Sequence, residues 1–475
     1  MSGKLTRRGF LKKTAVATAG TAAGAAVLNL ASPHLLPEQP IFQPNRSHWA
    51  KYEIPVNPSL GKDLEADVAI IGGGYTGLSS AYHILRSMPS RKVVVLEATR
   101  CGNGASGRNG AMVLTLTADR FMEFSADPAM DKRIYDLTVE NIETLREVSS
   151  ATGIDCELDT HGALEVFNTS DTVEAGKAYI EKARRLEFPF EFWDRQRTKD
   201  ALGSSRYLGA LFDPNSGQVH PMKLAHAWKA AAEGMGARIF ENTAVVSIEE
   251  GSTHRLRTTG GREVRAESLV LATNAYTSKA GHFRNTVVPL HAYIGITPQL
   301  DEGTLNEIGW RSRLSFFDSR TLVYYLGLTR DNRIHIGGGR VDYSFNNGLA
   351  ERADGESAYT ALQRELARIF PRLAGVNFET TWSGLVDMTL DFAPAVGRTG
   401  KHANVYYGLG YCGHGVNLTS LFGRIIADLA LGQDSRWHTL PFLNRTPLYV
   451  PNEPFRWLGV QGALEYYRRA DHIEQ

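Results

Sequence analysis

Cysteine, net charge and strongly apolar runs are all scarce in this 475-residue chain. Its 3 Cys, at Cys101, Cys156 and Cys412, are odd in number and far apart, so they predict neither a disulfide framework nor a metal site. The 52 Lys and Arg nearly balance the 51 Asp and Glu, and no long basic run follows the N-terminus, which argues against a nucleic-acid partner. Glycine is in excess, since its 46 residues make up nearly a tenth of the chain, against ~7% in an average protein. We therefore expect the glycines to mark the functional site.

The first 31 residues differ in composition from the rest. They contain five basic residues and no acidic one, and residues 6–12 read Thr-Arg-Arg-Gly-Phe-Leu-Lys, which resembles the twin-arginine export motif. Residues 14–31 are too weakly apolar for a convincing membrane span. We expect residues 1–31 to be a twin-arginine signal peptide that directs the folded protein, through the twin-arginine export machinery, to the periplasm or another extracytoplasmic space. A retained anchor and an accidental Arg-Arg pair in a cytosolic protein are the alternatives.

A strand, a glycine turn, a helix and a second strand are predicted from residue 67 onward. Residues 67–71 form a short β-branched run typical of a buried parallel strand, and residues 72–77 read Gly-Gly-Gly-Tyr-Thr-Gly. Such glycines permit a tight turn, close approach of backbone N–H groups to a pyrophosphate, and close packing of helix on strand. An acidic residue twenty positions beyond the last glycine, at the end of the second strand, suits an adenosine ribose. The dinucleotide-binding residues expected here are Gly72, Gly74, Tyr75, Thr76, Gly77 and Glu97.

NAD and FAD both fit this motif, and export favours FAD because it stays bound whereas NAD must be regenerated. Residues 104–110 then read Gly-Ala-Ser-Gly-Arg-Asn-Gly. Here the chain resembles the FAD-dependent amine and amino-acid oxidoreductases of the glycine oxidase and D-amino-acid oxidase (DAO) superfamily, especially those similar to gamma-glutamylputrescine oxidase. Small residues allow close approach to a flat ring, and the polar side chains offer hydrogen-bond donors. The resemblance implies FAD contacts from Ala105, Ser106, Arg108 and Asn109.

The resemblance continues to the C-terminal part of the chain. Residues 408–416 form a second glycine loop before a helical apolar periodicity, and a helix N-terminus there would stabilise negative charge on a reduced flavin. We expect His414 to line the cofactor rather than act as a base, and we expect the FAD to be non-covalent, without a bond to Cys101 or Cys412. The further FAD contacts that the resemblance implies are Val245, Gly384, Gly410, Gly413, His414, Gly415 and Val416.

The fold class predicted is α/β, with a Rossmann-like FAD-binding domain and an interleaved substrate domain built on a mixed or antiparallel β-sheet. An irregular segment, 32–64, precedes the body. The FAD-binding domain is expected to be discontinuous, from 65–150, 215–285 and 380–435. The substrate domain is expected from 151–214 and 286–379, and residues 436–475 form a C-terminal extension.

The resemblance implies oxidation of a C–N bond of an amine or amino acid to an imine, by hydride transfer to flavin. His291, Tyr293 and Tyr325 are the substrate-side candidates, and strand alternation means that Tyr324 and Tyr325 do not both face the cleft. No catalytic residue or metal ligand is assigned. Amino-acid-oxidising relatives place an arginine soon after this tyrosine, but Leu326 or Thr329 occupies the slot here, which favours an amine unless Arg330 or another arginine substitutes.

Three functions are compatible with these patterns. The first is an oxidase that uses O2, and the second is a dehydrogenase that passes electrons to a quinone or periplasmic carrier. The third is a non-catalytic, FAD-binding electron-transfer protein.

Overall fold

In a computed structural model of the protein, the structure describes residues 42, 44–116, 127–350 and 355–471. The expected signal peptide, 1–31, lies outside these residues. Within them, no helix combines the length and the hydropathy that crossing a membrane requires. The strands are β1 (Leu64–Ile71), β2 (Val93–Leu96), β3 (Met112–Val113), β4 (Ala163–Val166), β5 (Glu191–Asp194), β6 (Gly209–Asp213), β7 (Gly217–Gln218), β8 (Arg238–Phe240), β9 (Val245–Glu249), β10 (His254–Thr258), β11 (Glu263–Leu271), β12 (Val288–Ile296), β13 (Ser315–Asp318), β14 (Tyr324–Leu328), β15 (Ile334–Asp342), β16 (Thr380–Met388), β17 (Ala395–Thr399) and β18 (Val405–Leu409). The helices are α1 (Tyr75–Ser87), α2 (Pro128–Thr152), α3 (Ser170–Arg185), α4 (Arg195–Leu202), α5 (Pro221–Gly234), α6 (Glu302–Ile308), α7 (Glu356–Ile369), α8 (Gly415–Leu431) and α9 (Phe455–Ala470).

The first sheet has the strand order β17-β18-β11-β1-β2-β8, and β9 and β10 extend it along β11. Strand β1 pairs in parallel with β11 and β2, and β11 pairs in parallel with β18, so the carboxyl ends of β1, β2, β11 and β18 lie at one edge. The second half of β1, residues 68–71, is wholly apolar, as expected for a parallel strand covered on both faces. This edge is where a doubly wound sheet binds its ligand.

Helices α1 and α8 each begin at the end of a glycine loop and pack closely against one another. A Cβ added at Gly423 of α8 would lie 2.5 Å from the Ser79 hydroxyl of α1. The Ser79 hydroxyl in turn donates to the Ser420 carbonyl at 2.8 Å. Because the backbone of α8 packs directly against a side chain of α1, the two glycine loops that precede these helices are held at a fixed separation.

The second sheet has the order β16-β12-β15-β14-β13-β4-β6-β5 and is antiparallel except at the β13–β4 pair. It bulges where Ala292 pairs with Val341 and Ile294 pairs with Gly337, so that three residues of β15 lie opposite one residue of β12. Helix α7 covers one face of β12 and β15, and the opposite face turns toward the first sheet. The predicted α/β fold with a mixed second sheet is confirmed.

The pieces expected to form the FAD-binding domain supply the first sheet, with one difference. Strand β16, within the predicted piece 380–435, pairs along its whole length with β12 and so belongs to the second sheet. Periodicity does not report which sheet a strand joins, because pairing depends on distant residues. The chain therefore passes between the two sheets at residues 388–395, beside the second glycine loop.

The irregular segment before β1 is anchored to the body. The Lys229 ammonium forms a buried ion pair with Glu241 at 2.6 Å and donates to the Pro55 carbonyl at 2.5 Å. The Trp49 indole donates to the carbonyl of Asn109 at 2.9 Å. The irregular segment is thus bonded to the 104–110 loop as well as to the rest of the body.

Candidate cofactor and substrate site

A single cavity of about 1330 Å³ runs between the two sheets. Small-molecule sites usually occupy roughly 300–1,000 Å³, so this one has room for a dinucleotide together with a substrate. Both glycine loops, the 104–110 segment, β9, the cavity-facing side of the second sheet and part of the C-terminal extension line it.

The first glycine loop allows backbone groups to meet where any side chain would intervene. Gly72 has φ +110°, and a Cβ there would lie 2.4 Å from the Ala272 carbonyl oxygen at the end of β11. Gly77 is not on the cavity wall, and a Cβ there would lie 2.0 Å from the Gly72 carbonyl oxygen and 3.1 Å from Ile70. Gly77 therefore serves helix-to-strand packing, and Gly72 serves the turn.

Glu97 is fixed at the end of β2 by backbone donors. It accepts a hydrogen bond from the Gly73 N–H at 2.7 Å on one oxygen and from the Thr99 N–H at 2.9 Å on the other. Burial raises the pKa of Glu97, and these donors oppose the rise. The Thr99 hydroxyl also donates to the oxygen that accepts from the Thr99 N–H, at 3.2 Å. The oxygen that accepts from Gly73 has a second lone pair, so Glu97 retains acceptor capacity toward a ribose hydroxyl in the cavity that it lines.

The 104–110 segment is a short turn whose polar side chains hold its own backbone. The Asn109 amide donates to the Ser106 carbonyl at 2.8 Å and accepts from the Ala111 N–H at 2.9 Å. The Ser106 hydroxyl accepts from the Tyr75 N–H at 3.0 Å, which ties the segment to the start of α1. Ser106 and Asn109 thus shape the loop, and both line the cavity together with Ala105.

Arg108 connects this segment to the second sheet. Its Nε donates to the Asn103 carbonyl at 2.8 Å, and its own carbonyl accepts from the Trp382 indole at 2.9 Å. A Cβ on Gly384 of β16 would lie 3.4 Å from the Arg108 Cβ, an ordinary van der Waals contact. Strand β16 therefore packs directly against the 104–110 segment at Arg108.

The second glycine loop is fastened by a carboxylate that sequence reasoning did not identify. Asp387, near the end of β16, is 1% exposed and accepts from the backbone N–H of Gly410 at 2.5 Å and of Tyr411 at 3.1 Å. The Asn274 amide, in the orientation that satisfies both its ends, donates to the same carboxylate at 2.9 Å. Burial raises the pKa of Asp387 to about 7, against the effect of the two backbone donors.

The start of α8 faces the cavity. Gly413, His414, Gly415 and Val416 all line the cavity, whereas Gly410 lies behind it and has φ +72°. The His414 N–H donates to the Tyr411 carbonyl at 2.9 Å. The N–H groups of the first turn of α8 are thus directed at the region between the sheets, where a helix N-terminus favours negative charge.

Val245 lies at the opposite end of the cavity, at the start of β9. Val246, Ser247 and Ile248 continue this wall. The Thr243 N–H donates to the Glu97 carbonyl at 2.8 Å, so the wall is joined to the ribose-side carboxylate. The sequence-predicted residues that line the cavity are Gly72, Gly74, Tyr75, Thr76, Glu97, Ala105, Ser106, Arg108, Asn109, Val245, Gly384, Gly413, His414, Gly415 and Val416.

Tyr325 lies on the cavity wall, and Tyr324 does not. A Cβ on Gly110 would lie 2.2 Å from the Tyr325 ring, and one on Gly337 would lie 2.3 Å from its hydroxyl. Two glycines therefore accommodate this ring between the 104–110 segment and the second sheet. Tyr324 faces the other way, with the Arg320 guanidinium 4.6 Å from its ring centre.

His291 and Tyr293 do not face the cavity, and the expectation that they do is corrected. Strand β12 turns Val288, Leu290, Ala292 and Ile294 toward the cavity, so the residues between them point toward the opposite face. The Tyr293 hydroxyl donates to Asp342 at 2.9 Å, and the His291 ring nitrogen lies 3.3 Å from the Gly348 carbonyl. The Tyr293 ring also packs against Tyr359 of α7, with ring centres 5.6 Å apart.

The row of side chains beyond Tyr325 ends in a carboxylate. Tyr325 pairs with Phe317 across the strands, and Phe317 pairs with Glu165 of β4. All three line the cavity, and directly opposed residues of neighbouring strands project on the same face. An aromatic wall with an acidic end suits a cationic ligand.

The C-terminal extension lines a further side of the cavity, although its sequence contains no motif that indicates this. Residues 448–451 and the inward face of α9 contribute to the wall, including Arg456, Leu464 and Tyr467. Arg456 is 6% exposed, and its Nε donates to the Pro451 carbonyl at 2.9 Å.

Two cysteines lie near the cofactor loops. Cys101 is 1% exposed, and a Cβ on Gly73 would lie 2.7 Å from its sulfur. Cys412 lies on the cavity wall, where burial raises the pKa of its thiol to about 12. A thiol held neutral is a weak nucleophile.

Comparison with known proteins agrees with this geometry. The family model described as FAD dependent oxidoreductase (DAO) matches residues 67–429. The chain belongs to this family. Gamma-glutamylputrescine oxidoreductase of Escherichia coli is 32% identical over 424 residues, covering 87% of this chain and 95% of that protein. The probable oxidoreductase OrdL of Haemophilus influenzae is 29% identical over 427 residues, covering 87% and 94%. The crystal structure of glycine oxidase from Geobacillus kaustophilus superposes with a TM-score of 0.69 at 22% identity, over 81% of this chain and 99% of that chain.

The protein is therefore an FAD-dependent oxidoreductase of the amine or amino-acid oxidase type. The residues present fit FAD. Gly72 and Gly74 line the cavity without side chains, Glu97 lines it at the end of β2, where a ribose would lie, and the first turn of α8 lines it beside the second glycine loop.

Gly72→Ala is expected to prevent FAD retention, because its Cβ would meet the Ala272 carbonyl at 2.4 Å in a backbone region that alanine rarely adopts. The ratio of flavin to protein absorbance after purification measures this, and a fall of at least about tenfold is expected, which corresponds to ~1.4 kcal/mol. Gly61→Ala is the control, since nothing lies within 4 Å of its Cβ. Equal flavin content in both variants would contradict the role given to Gly72.

Asp387 predicts a pH dependence of stability. Its pKa is raised from 3.8 to about 7 in the folded protein, so the folded state binds more protons than the unfolded chain between about pH 4 and pH 7. The contribution of Asp387 to the free energy of unfolding therefore declines as pH rises through this window, by at most about 1.4 kcal/mol per pH unit. Unfolding of the wild type and Asp387→Asn from pH 4 to pH 8 tests it. A wild-type-minus-variant difference that rises with pH would refute this assignment.

Proposed function

We propose that the protein oxidises the carbon–nitrogen bond of an amine that lacks an α-carboxylate, giving an imine that water then hydrolyses. Bound FAD supplies the two-electron acceptor, to which the hydride of the α-carbon passes. The protein's own contribution is to bind the amine, orient it and keep the reaction region dry.

The position of Arg330 carries this proposal. An arginine that clamps an α-carboxylate must reach the cavity, but Arg330 forms an ion pair with Asp155 at 2.5 Å and its side chain is 54% exposed. Of the other residues near that slot, Leu326 is fully buried in the core and the Thr329 hydroxyl donates to Asp331 at 2.6 Å. None of the three lines the cavity.

The wall around Tyr325 supports an amine in two further ways. The acidic end of the row at Glu165 attracts a cationic substrate as it approaches. The apolar side chains of β12, Leu290, Ala292 and Ile294, then disfavour the ammonium form by desolvation. Loss of a hydride requires the neutral amine, and deprotonating an amine of pKa near 10 costs about 4 kcal/mol at pH 7. Because the wall disfavours the ammonium, it lowers this cost.

Oxidation of an α-amino acid is the second candidate, and Arg456 is the observation that favours it. This guanidinium reaches the cavity wall from α9, a helix that the family motifs do not include. In this case a carboxylate would be held from the C-terminal side rather than from β14.

We propose O2 as the electron acceptor, with a quinone or periplasmic carrier as the alternative. We also propose that FAD is held non-covalently and that residues 1–31 direct export of the loaded protein to the periplasm. The absence of acidic residues before residue 32 and the paired Arg7 and Arg8 support export.

Anaerobic bleaching of the flavin tests the substrate. Diamines and monoamines are expected to bleach it at least about tenfold more efficiently than glycine, sarcosine or D-amino acids, a difference of ~1.4 kcal/mol in the barrier. Preference for an amino acid, lost in Arg456→Lys, would support the second candidate instead.

The yield of peroxide in air tests the electron acceptor. About one peroxide per imine is expected for an oxidase, whereas a peroxide yield far below this, with turnover restored by a quinone, would establish the dehydrogenase.

Export is tested by replacing Arg7 and Arg8 with lysine in the full chain. The fraction of flavin-containing protein released by osmotic shock is expected to fall at least about tenfold, since lysine keeps the charge but not the guanidinium. Lys12→Arg and Lys13→Arg together form the control. Equal release from all three proteins would contradict twin-arginine export.

A further inference from the structure

The C-terminal extension carries most of the exposed apolar surface of the described residues. Of ten exposed large hydrophobic side chains there, seven lie in this extension or against it. The Glu453 carboxylate joins the two parts, because it accepts from the Asn346 N–H at 2.9 Å and from the Trp457 N–H at 2.9 Å. We call this surface the C-terminal apolar patch: Phe345, Leu448, Tyr449, Phe455, Trp457, Leu458 and Tyr466.

Helix α9 is apolar on two sides. Phe455, Leu458 and Tyr466 are 50%, 57% and 38% exposed and follow one another at helical spacing, with Gly459 and Gly462 on the same side. On the inward side, Val460, Ala463 and Leu464 line the cavity. A helix that already buries one apolar face has no folding reason to expose a second one.

The charge of this region is opposite in sign to that of the rest of the body. The C-terminal extension, residues 436–475, contains five arginines and four acidic residues, whereas residues 32–475 as a whole contain 47 basic and 51 acidic residues. Arg468 and Arg469 follow the last exposed aromatic residue of α9. Lys279 lies at the other border, where its ammonium donates to the Asn346 carbonyl at 3.1 Å. Arg468 is ion-paired with Asp342 at 3.6 Å, whereas Arg469 is 80% exposed. Arg469 and Lys279 thus flank the C-terminal apolar patch on two sides.

We propose that the C-terminal apolar patch docks on the surface of a phospholipid bilayer with anionic headgroups. Trp, Tyr, Phe and Leu side chains beside arginine are the residue types that bind the interfacial region, with the apolar rings at the acyl boundary and the cations at the headgroups. Each cation near an anionic surface adds to the attraction. The lengthwise exposure of α9 matches a helix lying in the plane of the interface.

Docking in this way places the cavity opening against the bilayer. Leu448, Tyr449 and Phe455 belong to the C-terminal apolar patch and also line the cavity. Phe42 stacks on Tyr276 with ring centres 5.2 Å apart, and both residues line the cavity together with Lys279. An apolar amine or electron acceptor dissolved in the membrane would reach the cavity without crossing water.

Co-sedimentation of the FAD-loaded full chain with vesicles tests the proposal. Vesicles of phosphatidylcholine with one-third phosphatidylglycerol are expected to bind the wild type at least about tenfold more strongly than they bind Trp457→Glu/Leu458→Glu, which places charge on the patch but not on the cavity wall. Pure phosphatidylcholine vesicles are expected to bind the wild type more weakly, because they carry no anionic headgroups. Adding 0.5 M salt is expected to weaken binding to the anionic vesicles, because screening removes the contribution of the cations.

Met235→Glu is the matched control, since Met235 is 41% exposed and lies outside the patch. It is expected to bind as the wild type does, and all three proteins are expected to keep the same flavin content and oxidise a soluble amine equally. Wild-type binding by the double variant would overturn the proposal and assign binding to the N-terminal residues. Absence of vesicle binding would also overturn it, as would a wild-type dimer that the double variant abolishes, because the patch would then join two copies of the chain.

Discussion

The hydrogen bonds of Asp387 hold together the two halves of the site. This carboxylate belongs to β16 of the second sheet, and the N–H groups that it accepts from, at Gly410 and Tyr411, lead into α8 on the first sheet. A buried carboxylate without such donors would be costly, so the loop and the strand determine each other's position. The cavity between the sheets keeps its width because this contact joins them. Asn274, at the end of β11, extends the same network to the strand beside the first glycine loop.

The glycines around the site act by close approach, and each acts at a different contact. Gly72 brings a turn against the end of β11, Gly77 brings α1 against β1, and Gly423 brings α8 against α1. Gly110 and Gly337 leave space for the Tyr325 ring. Together these contacts place two helix N-termini and one aromatic ring around the same volume, which a chain with side chains at these positions would not allow. The glycine excess of the composition is thus partly explained by the packing around one cavity.

Sequence reasoning succeeded where function depends on local spacing, and it failed where function depends on register. The Gly72–Gly77 turn and Glu97 are twenty-odd residues apart in one βαβ unit, so pattern alone predicts the cofactor site. His291 and Tyr293 were assigned to the wrong face, because the face is decided by how β12 pairs with β15 and β16. Asp387 carries no motif of its own, and its partners are more than twenty residues away. The wall formed by α9 was equally hidden, since an amphipathic helix does not reveal what its apolar face covers.

In the C-terminal extension, the same side chains form part of the cavity wall and part of the outer surface. Leu448, Tyr449 and Phe455 are each about half exposed, yet they also line the cavity, so they form the boundary between its interior and the exterior. Any surface that covers these side chains must also border the opening. Covering these side chains removes apolar area from water, which stabilises the covered state by roughly 25 cal/mol per Å². Moving α9 away from the body at the opening would expose that area again, so this free energy opposes such a movement. A substitution of any of these three side chains therefore changes the cavity wall and the outer surface together.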